Sequence, residues 1–245
     1  NNEIGTIQPI EKLCKAAHEY GALFHTDAVQ AIGSIPVDVK KLNVDALSLS
    51  GHKFYGPKGI GALYVKDGTK IEKLIAGGHQ EKSMRGGTSP VPQIVGLGKA
   101  ITLATENIDE NAEKVKKLRD LFVERVKREL PYAIYNGEEN LRLPQNANFT
   151  FPFTEGDALV MALDIAGVAC SSGAACSSGS LEPSHVMKAI GYSDSDAKRS
   201  VRFSFGKDNT EKEINFVVDK LVELSRTLPE TNSLIAKTEQ KTKRV

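Results

Sequence analysis

The stretch SLSGHKFYGPKGIGALYV, residues 48–65, contains a lysine in a position suited to covalent chemistry. Lys53 directly follows an apolar run and the group SGH. We expect the apolar strands on either side to bring its amine to a partly dry strand end, where desolvation favours the neutral, nucleophilic form. The alternative is a surface-loop lysine, with His52 as a hydrogen-bonded turn residue. Lys58, on the turn itself, lacks such flanks and is interpreted as structural.

Asp27 closes the apolar run of ALFHTDAV and is predicted to lie at the end of a strand. One interpretation is that its carboxylate caps the following helix. The other is that the carboxylate stays ionised in a cleft and pairs with a cationic ring nitrogen. The residues alone leave both interpretations open.

Cys176 lies within ACSSGAACSSGS, residues 169–180, where twelve small or polar residues follow one another. Such a run is unsuited to a core and predicts a mobile loop. A thiol on a mobile polar loop is suited to act as a nucleophile that moves, so we rank Cys176 ahead of Cys170. Cys170 follows apolar residues and is expected to be buried at a strand end. Cys14 is expected to lie on the apolar face of a helix and to be part of the core. The cysteine spacing fits no zinc site.

The composition is that of a globular protein, with 245 residues, 40% of them hydrophobic and 26% charged. A formal net charge of +1 gives no reason to expect nucleic acid or an anionic membrane as a partner. No run reaches the roughly 18 to 20 apolar residues of a membrane-spanning helix. Three cysteines without framework spacing indicate reduced thiols and a cytoplasmic location. The glycines of GPKGIG match neither phosphate-loop nor dinucleotide fingerprints.

Helices and short apolar strands alternate up to about residue 90, which predicts an α/β layer with a largely parallel sheet. Polar residues at the strand ends matter because such sheets bind ligands outside the carboxyl ends of their strands. A long amphipathic helical region follows, and the remaining strands and helices have an α+β pattern. We predict a first domain over 1–106, a smaller α+β domain over 107–228 and a disordered tail over 229–245.

Six motifs in order resemble the cysteine desulfurases of the NifS/IscS-like class, which are pyridoxal-phosphate enzymes of the aspartate-aminotransferase fold. They are NNEIGTIQPI, FHTDAVQAIG, SLSGHKFYGPKGIGALYV, GGHQEKSMRGGT, SSGAACSSGSLEPSHV and SVRFSFGKDNT. The match runs from residue 1 to about residue 228. The resemblance implies an α/β fold, with a large-domain portion that binds the cofactor and a smaller α+β C-terminal domain that carries the cysteine loop.

The resemblance also implies residue roles. Lys53 would form the Schiff base with pyridoxal phosphate and move the proton at the substrate α-carbon, and Asp27 would pair with the pyridine nitrogen. Arg202 would clamp the substrate α-carboxylate, a bidentate task that suits arginine. Cys176 would attack the substrate sulfur and become a persulfide. The further cofactor contacts would be Gln30, Asn2, Ser50, His52 and, reaching the phosphate of a neighbouring subunit, Thr88, with Asn2 also contacting substrate.

The implied reaction converts L-cysteine to L-alanine and passes sulfur to an acceptor protein, either an iron–sulfur scaffold or a tRNA-thiolation enzyme. The resemblance further implies a homodimer. It also implies that this chain is a C-terminal portion, which is either completed by a second, N-terminal chain or part of a longer protein. In both cases the N-terminal part would supply further phosphate donors. Two alternatives stay open: another fold-type-I enzyme, such as an aminotransferase or selenocysteine lyase, for which Cys176 is unnecessary, and an inactive interaction module.

Overall fold

The computed structural model describes residues 1–173 and 182–228, which form two compact units. We call residues 8–110 the lysine unit, because it contains Lys53. Asn1–Ile7 and the described residues from Asn111 onward form the arginine unit, which contains Arg202. The predicted domains of 1–106 and 107–228 stay a prediction, and the predicted tail 229–245 lies outside the described residues.

The lysine unit builds its sheet from three strands. Its elements are α1 (Ile10–Glu19), β1 (His25–Asp27), α2 (Val39–Leu42), β2 (Ala46–Ser50), a 3-10 helix (Gly51–Phe54), β3 (Gly61–Val65), α3 (Gln80–Ser83) and α4 (Val91–Glu106). Strands β1 and β2 are parallel, whereas β2 and β3 are antiparallel. The prediction of a largely parallel sheet is therefore correct for β1–β2 and wrong for β3. The connection from β2 to β3 is too short for the crossover that a parallel pair requires.

A small apolar core and a buried polar cluster hold α1 against this sheet. Cys14 is fully buried beside Val44 and Leu47, which confirms its predicted core position. The carboxylate of Asp45 lies 2.7 Å from His18 Nε2 and accepts a 2.7 Å hydrogen bond from the Phe24 N–H. These contacts tie the end of α1 and the entry of β1 to the start of β2.

The arginine unit is an α+β layer, as the sequence predicts. Its elements are α5 (Ile108–Glu129), β4 (Ile134–Tyr135), β5 (Asn146–Thr150), α6 (Gly156–Ile165), α7 (His185–Ala189), α8 (Asp194–Ala197), β6 (Ser200–Ser204) and α9 (Glu211–Thr227). The strands form an antiparallel sheet in the order β4-β5-β6. Helix α9 begins with a capping box between Thr210 and Glu213.

Strand β5 is buried on both faces, and the two faces differ in chemistry. Ala147 and Phe149 contribute to a phenylalanine-rich core that α5, α6 and α9 complete. The alternate residues Asn146 and Asn148 are also buried, and their side-chain amides donate to the backbone oxygen of Glu3 at 3.0 and 3.1 Å. The polar face of β5 thus binds the N-terminal segment, because alternating residues of a strand point to opposite faces.

Among the helices that the structure describes, none is both long and apolar enough to cross a membrane.

Candidate functional site

The 3-10 helix after β2 fixes the backbone that carries Lys53. Gly51 and Phe54 are buried, whereas His52 and Lys53 between them are exposed. The backbone is held tightly, since a Cβ on Gly51 would lie 3.0 Å from Leu97 Cδ1 on α4. The Gly56 N–H also donates to the Gly51 oxygen at 2.9 Å. The sequence therefore places Lys53 on a rigid turn at the carboxyl end of β2.

The expected partly dry environment of Lys53 is wrong for the described chain. Its side chain is exposed, because the short helix turns only its first and last residues inward. A 3-10 helix repeats every three residues, so the two positions between Gly51 and Phe54 face outward. Lys58 on the next turn is exposed as well.

Asp27 lies at the same edge of the sheet as the lysine turn. The parallel register aligns Asp27 with Ser48, so the carboxyl ends of β1 and β2 meet at one edge. Asp27 Oδ1 accepts a 2.8 Å hydrogen bond from the Val29 N–H. The contact stabilises a turn, because residues 29–34 form turns and not the helix that the capping interpretation requires. Asp27 stays exposed at the sheet edge. Gln30 follows in the same turn and is half-buried.

Ser50 and His52 form a hydrogen-bonded pair beside Lys53. Ser50 Oγ lies 2.9 Å from His52 Nδ1. Thr88 is exposed in the loop between α3 and α4 of the same unit, directly after Gly87 in a left-handed conformation (φ 95°). The lysine unit therefore presents a hydroxyl, an imidazole, an amine and a carboxylate along one sheet edge.

This donor set fits pyridoxal phosphate. A hydroxyl, an imidazole and backbone groups at a strand end suit phosphate oxygens, and an amine suits the cofactor aldehyde. A carboxylate at the neighbouring strand end suits a protonated ring nitrogen. Within residues 1–173 and 182–228 there is no comparable set of ligands for a metal ion, because no three His, Cys, Asp or Glu side chains cluster suitably.

The arginine unit brings Arg202 and Asn2 into contact. Arg202 is half-buried on β6, and its Nη1 donates to the Asn2 backbone oxygen at 2.7 Å. The Arg202 N–H donates to the Ser171 oxygen at 2.7 Å, and the Ser171 N–H donates back at 3.2 Å. The residue that follows Cys170 is thus joined to the predicted substrate arginine.

The cysteines differ in their surroundings. Cys170 packs against the phenylalanine-rich core, but it is half-buried in the segment after α6 and not buried at a strand end as predicted. Burial, with a smaller contribution from Asp164, raises the pKa of its thiol to about 12. Burial also raises the pKa of the Cys14 thiol, whose Sγ donates to the Asn43 oxygen at 3.1 Å. Neither thiol is suited to act as a nucleophile near neutral pH. Cys176 lies outside the described residues.

Two residues of this region escaped the sequence prediction. Ser184 Oγ donates to Glu3 Oε2 at 2.5 Å, although the two residues are 181 positions apart. Ser184 caps α7, but no local signal in the sequence links it to Glu3.

Comparison with known proteins identifies the family to which this chain belongs. Residues 1–217 match the family model described as aminotransferase class-V. The chain is 49% identical to cysteine desulfurase IscS of Dictyoglomus turgidum, over 93% of this chain and 59% of that protein. It thus spans about three fifths of the length of such curated relatives.

Solved structures show a similar relationship. A NifS-like protein from Rickettsia africae superposes with a TM-score of 0.86 at 35% identity, covering 93% of this chain and 60% of that one. SspA in complex with cysteine superposes with a TM-score of 0.65 at 38% identity, covering 86% of this chain and 58% of that one.

Proposed function

Because this chain belongs to the class-V aminotransferase family, we propose that it acts as part of a pyridoxal-phosphate-dependent cysteine desulfurase. The observation that carries the proposal is the convergence of Asp27, Ser50, His52 and Lys53 at the joined carboxyl ends of β1 and β2. Open α/β sheets bind ligands at such ends. The names of the similar proteins support the same reaction.

The lysine unit would bind the cofactor. The Lys53 amine would hold the aldehyde carbon and, once substrate arrives, move the proton at the substrate α-carbon. Asp27 would keep the proton on the ring nitrogen, and Ser50 with His52 would bind the phosphate. Pyridoxal phosphate, when bound, supplies a ring that accepts electrons from the substrate. Gln30 would contact the ring hydroxyl.

The arginine unit would bind substrate. Arg202 would form a two-point contact with the α-carboxylate of L-cysteine, because its guanidinium matches carboxylate geometry. Asn2, whose backbone oxygen the same guanidinium contacts, would bind substrate and cofactor polar groups. Thr88, in the lysine unit, would serve the phosphate of a neighbouring subunit, which makes a homodimer part of the proposal.

Cys176 would take the sulfur. Its thiolate would bond to the substrate sulfur while the Cβ–Sγ bond of the substrate breaks. The electron pair of that bond, with a proton, would remain on the carbon that becomes the methyl group of L-alanine. The products are alanine and a persulfide on Cys176, from which sulfur passes to an acceptor protein. An iron–sulfur scaffold and a tRNA-thiolation enzyme are the two acceptor classes that we propose.

The test is alanine formation from L-cysteine by the purified protein with pyridoxal phosphate. We expect Cys176→Ser to lower the rate by about 100-fold or more, because it removes the nucleophile. Cys170→Ser is the matched control and should keep the parental rate. Parental activity in Cys176→Ser would instead indicate another fold-type-I enzyme. No alanine from the parent protein, even when a complementary N-terminal chain is supplied, would indicate an interaction module.

A further inference from the structure

Glu3 is a buried carboxylate to which the roles above give no task. Its residue is 2% exposed. Its backbone is fixed on both sides: the Glu3 N–H donates to Asn1 Oδ1 at 2.8 Å, and its oxygen accepts from the amides of Asn146 and Asn148. Removing a carboxylate from water is unfavourable unless hydrogen bonds compensate. The position therefore calls for a partner that needs this acceptor.

Ser184 is such a partner. Its Oγ accepts hydrogen bonds from the Val186 and Met187 N–H groups, both at 3.2 Å, and thereby caps α7. The same Oγ donates to Glu3 Oε2 at 2.5 Å. A hydroxyl has one proton and two lone pairs, so this one is fully used. The carboxylate orients the hydroxyl, and the oriented hydroxyl caps the helix.

Gly173 lies near the same carboxylate. A Cβ on Gly173 would lie 3.5 Å from Glu3 Oε2 and 3.9 Å from Ser184 Cβ. Gly173 has a φ of 64°, in the left-handed region that favours glycine. Gly173 and Ser184, which lie on either side of residues 174–181, are thus both near this carboxylate, and Ser184 is hydrogen-bonded to it.

The predicted substrate residues lie in the same network. Asn2 directly precedes Glu3, and its backbone oxygen accepts from Arg202 Nη1. Arg202 in turn pairs through its backbone with Ser171, two residues before Gly173. Glu3 is therefore joined through Asn2 to Arg202 and the N-terminal flank of the Cys176 segment, and through Ser184 to its C-terminal flank.

We propose that Glu3 is a positioning residue for the sulfur transfer described above. Its carboxylate holds the C-terminal flank of the segment that carries Cys176 through Ser184, and the adjacent Asn2 holds the N-terminal flank through Arg202 and its backbone partner Ser171. Glu3 itself touches neither substrate nor cofactor. This inference rests on the proposed function and adds to it. It explains why a carboxylate occupies a buried position where an apolar residue would be less costly to bury.

The variants Glu3→Ala, Glu3→Gln and Ser184→Ala separate this role from general stability. Glu3→Gln keeps an oxygen that accepts from Ser184, so it should rescue most of what Glu3→Ala loses. Ser193→Ala is the matched control, because Ser193 caps α8 in the same unit through the Asp196 N–H at 3.1 Å. Both serine variants lose a helix cap, and Ser184→Ala also removes a hydrogen bond to the buried Glu3 carboxylate, so it should lower the thermal unfolding midpoint more than Ser193→Ala does.

The first readout is steady-state alanine formation by the protein with pyridoxal phosphate. We expect Glu3→Ala and Ser184→Ala to lower kcat by about tenfold or more while KM for L-cysteine changes by less than about threefold, because misplacing a nucleophile slows the chemical step. Ser193→Ala should stay within about twofold of the parent in both constants. A loss of kcat of the same size in Ser193→Ala, or a change in KM alone, would overturn the proposal.

The second readout needs neither cofactor nor turnover. Iodoacetamide alkylation of Cys176, followed by mass spectrometry with buried Cys14 as the internal reference, reports on how the flanks hold the thiol. We expect about threefold faster alkylation in Glu3→Ala and Ser184→Ala, since released flanks open more often. Equal rates in all variants would refute the positioning role, whether or not the parent protein forms alanine. An inactive parent with faster alkylation would contradict the proposed function only.

Discussion

The two units of this chain place their polar side chains in opposite ways. In the lysine unit, Asp27, His52 and Lys53 are exposed at a sheet edge above a small apolar core. In the arginine unit, polar residues such as Asn148 and Glu3 are buried beside a large phenylalanine-rich core. The lysine unit thus has its chemistry on a surface, whereas the arginine unit builds polar contacts into its interior. We infer that mutations will affect chemistry and stability separately in the first unit and together in the second.

The largest expected effect on stability lies in the core of the arginine unit. Phe149 is fully buried and contacts the rings of Phe122 and Phe151. Phe149→Ala should lower the free energy of unfolding by about 3–5 kcal/mol, from lost transfer energy and a cavity. Phe216→Ala on α9, where the side chain is 44% exposed, is the control and should cost about 1 kcal/mol or less. Urea unfolding curves measure both, and equal losses would remove the contrast between core and surface.

The next effect concerns the thiol at the edge of that core. Burial raises the pKa of the Cys170 thiol to about 12. At pH 8 its thiolate fraction is then roughly a thousandfold below that of an ordinary cysteine with a pKa of about 8.5. Alkylation of Cys170 followed by mass spectrometry should be slower than that of free cysteine by that order, and it should accelerate up to about pH 12. Fast labelling of Cys170 in the folded protein at pH 8 would contradict its burial.

A smaller effect on stability is expected at the partly buried pair of His18 and Asp45 in the lysine unit. The hydrogen bond from His18, followed by that from the Phe24 N–H, lowers the pKa of Asp45. The folded-state pKa therefore lies below the unfolded value of about 3.9. The stabilisation is present above that unfolded value and is lost as the pH falls through the folded pKa.

Asp45→Asn should therefore lower the free energy of unfolding at pH 7 by about 1–3 kcal/mol and weaken its acid dependence. Asp38→Asn is the matched control, because Asp38 caps α2 through the Lys40 and Lys41 N–H groups and asparagine caps equally well. Unfolding curves between pH 3 and pH 7 make the comparison. An unchanged acid dependence in Asp45→Asn would show that other groups control it.

The smallest effect should come from Lys53 itself. Because its side chain is exposed, Lys53→Ala should change the free energy of unfolding without cofactor by no more than about 0.5 kcal/mol. Thermal unfolding followed by circular dichroism measures this change. A loss of several kcal/mol would show that Lys53 has a structural role, and the separation of chemistry from stability in the lysine unit would fail.

The sequence predicts this molecule well wherever the signal is local. The long amphipathic pattern gives α4 and α5, the apolar run before SGH gives β2, and the spacing on α1 places Cys14 in the core. The family motifs identify the residues of the proposed site before any coordinates. Local periodicity carries this information because it reflects which side of an element is buried.

The rest depends on contacts between distant residues. The link from Glu3 to Ser184 and the pair of His18 with Asp45 join positions 181 and 27 residues apart. Neither leaves a periodic trace in the sequence. The predicted dry environment of Lys53 is wrong because apolar neighbours in sequence do not bury a residue that a 3-10 helix turns outward.

The most direct test of the central claim is the visible absorption spectrum of the purified protein with pyridoxal phosphate, compared for the parent, Lys53→Ala and Lys58→Ala. The account predicts a protein-bound band, distinct from free cofactor, in the parent and in Lys58→Ala, which changes when L-cysteine is added. It predicts no such band in Lys53→Ala. A protein-bound band of equal strength in Lys53→Ala would contradict the assignment of Lys53 as the residue that holds the cofactor.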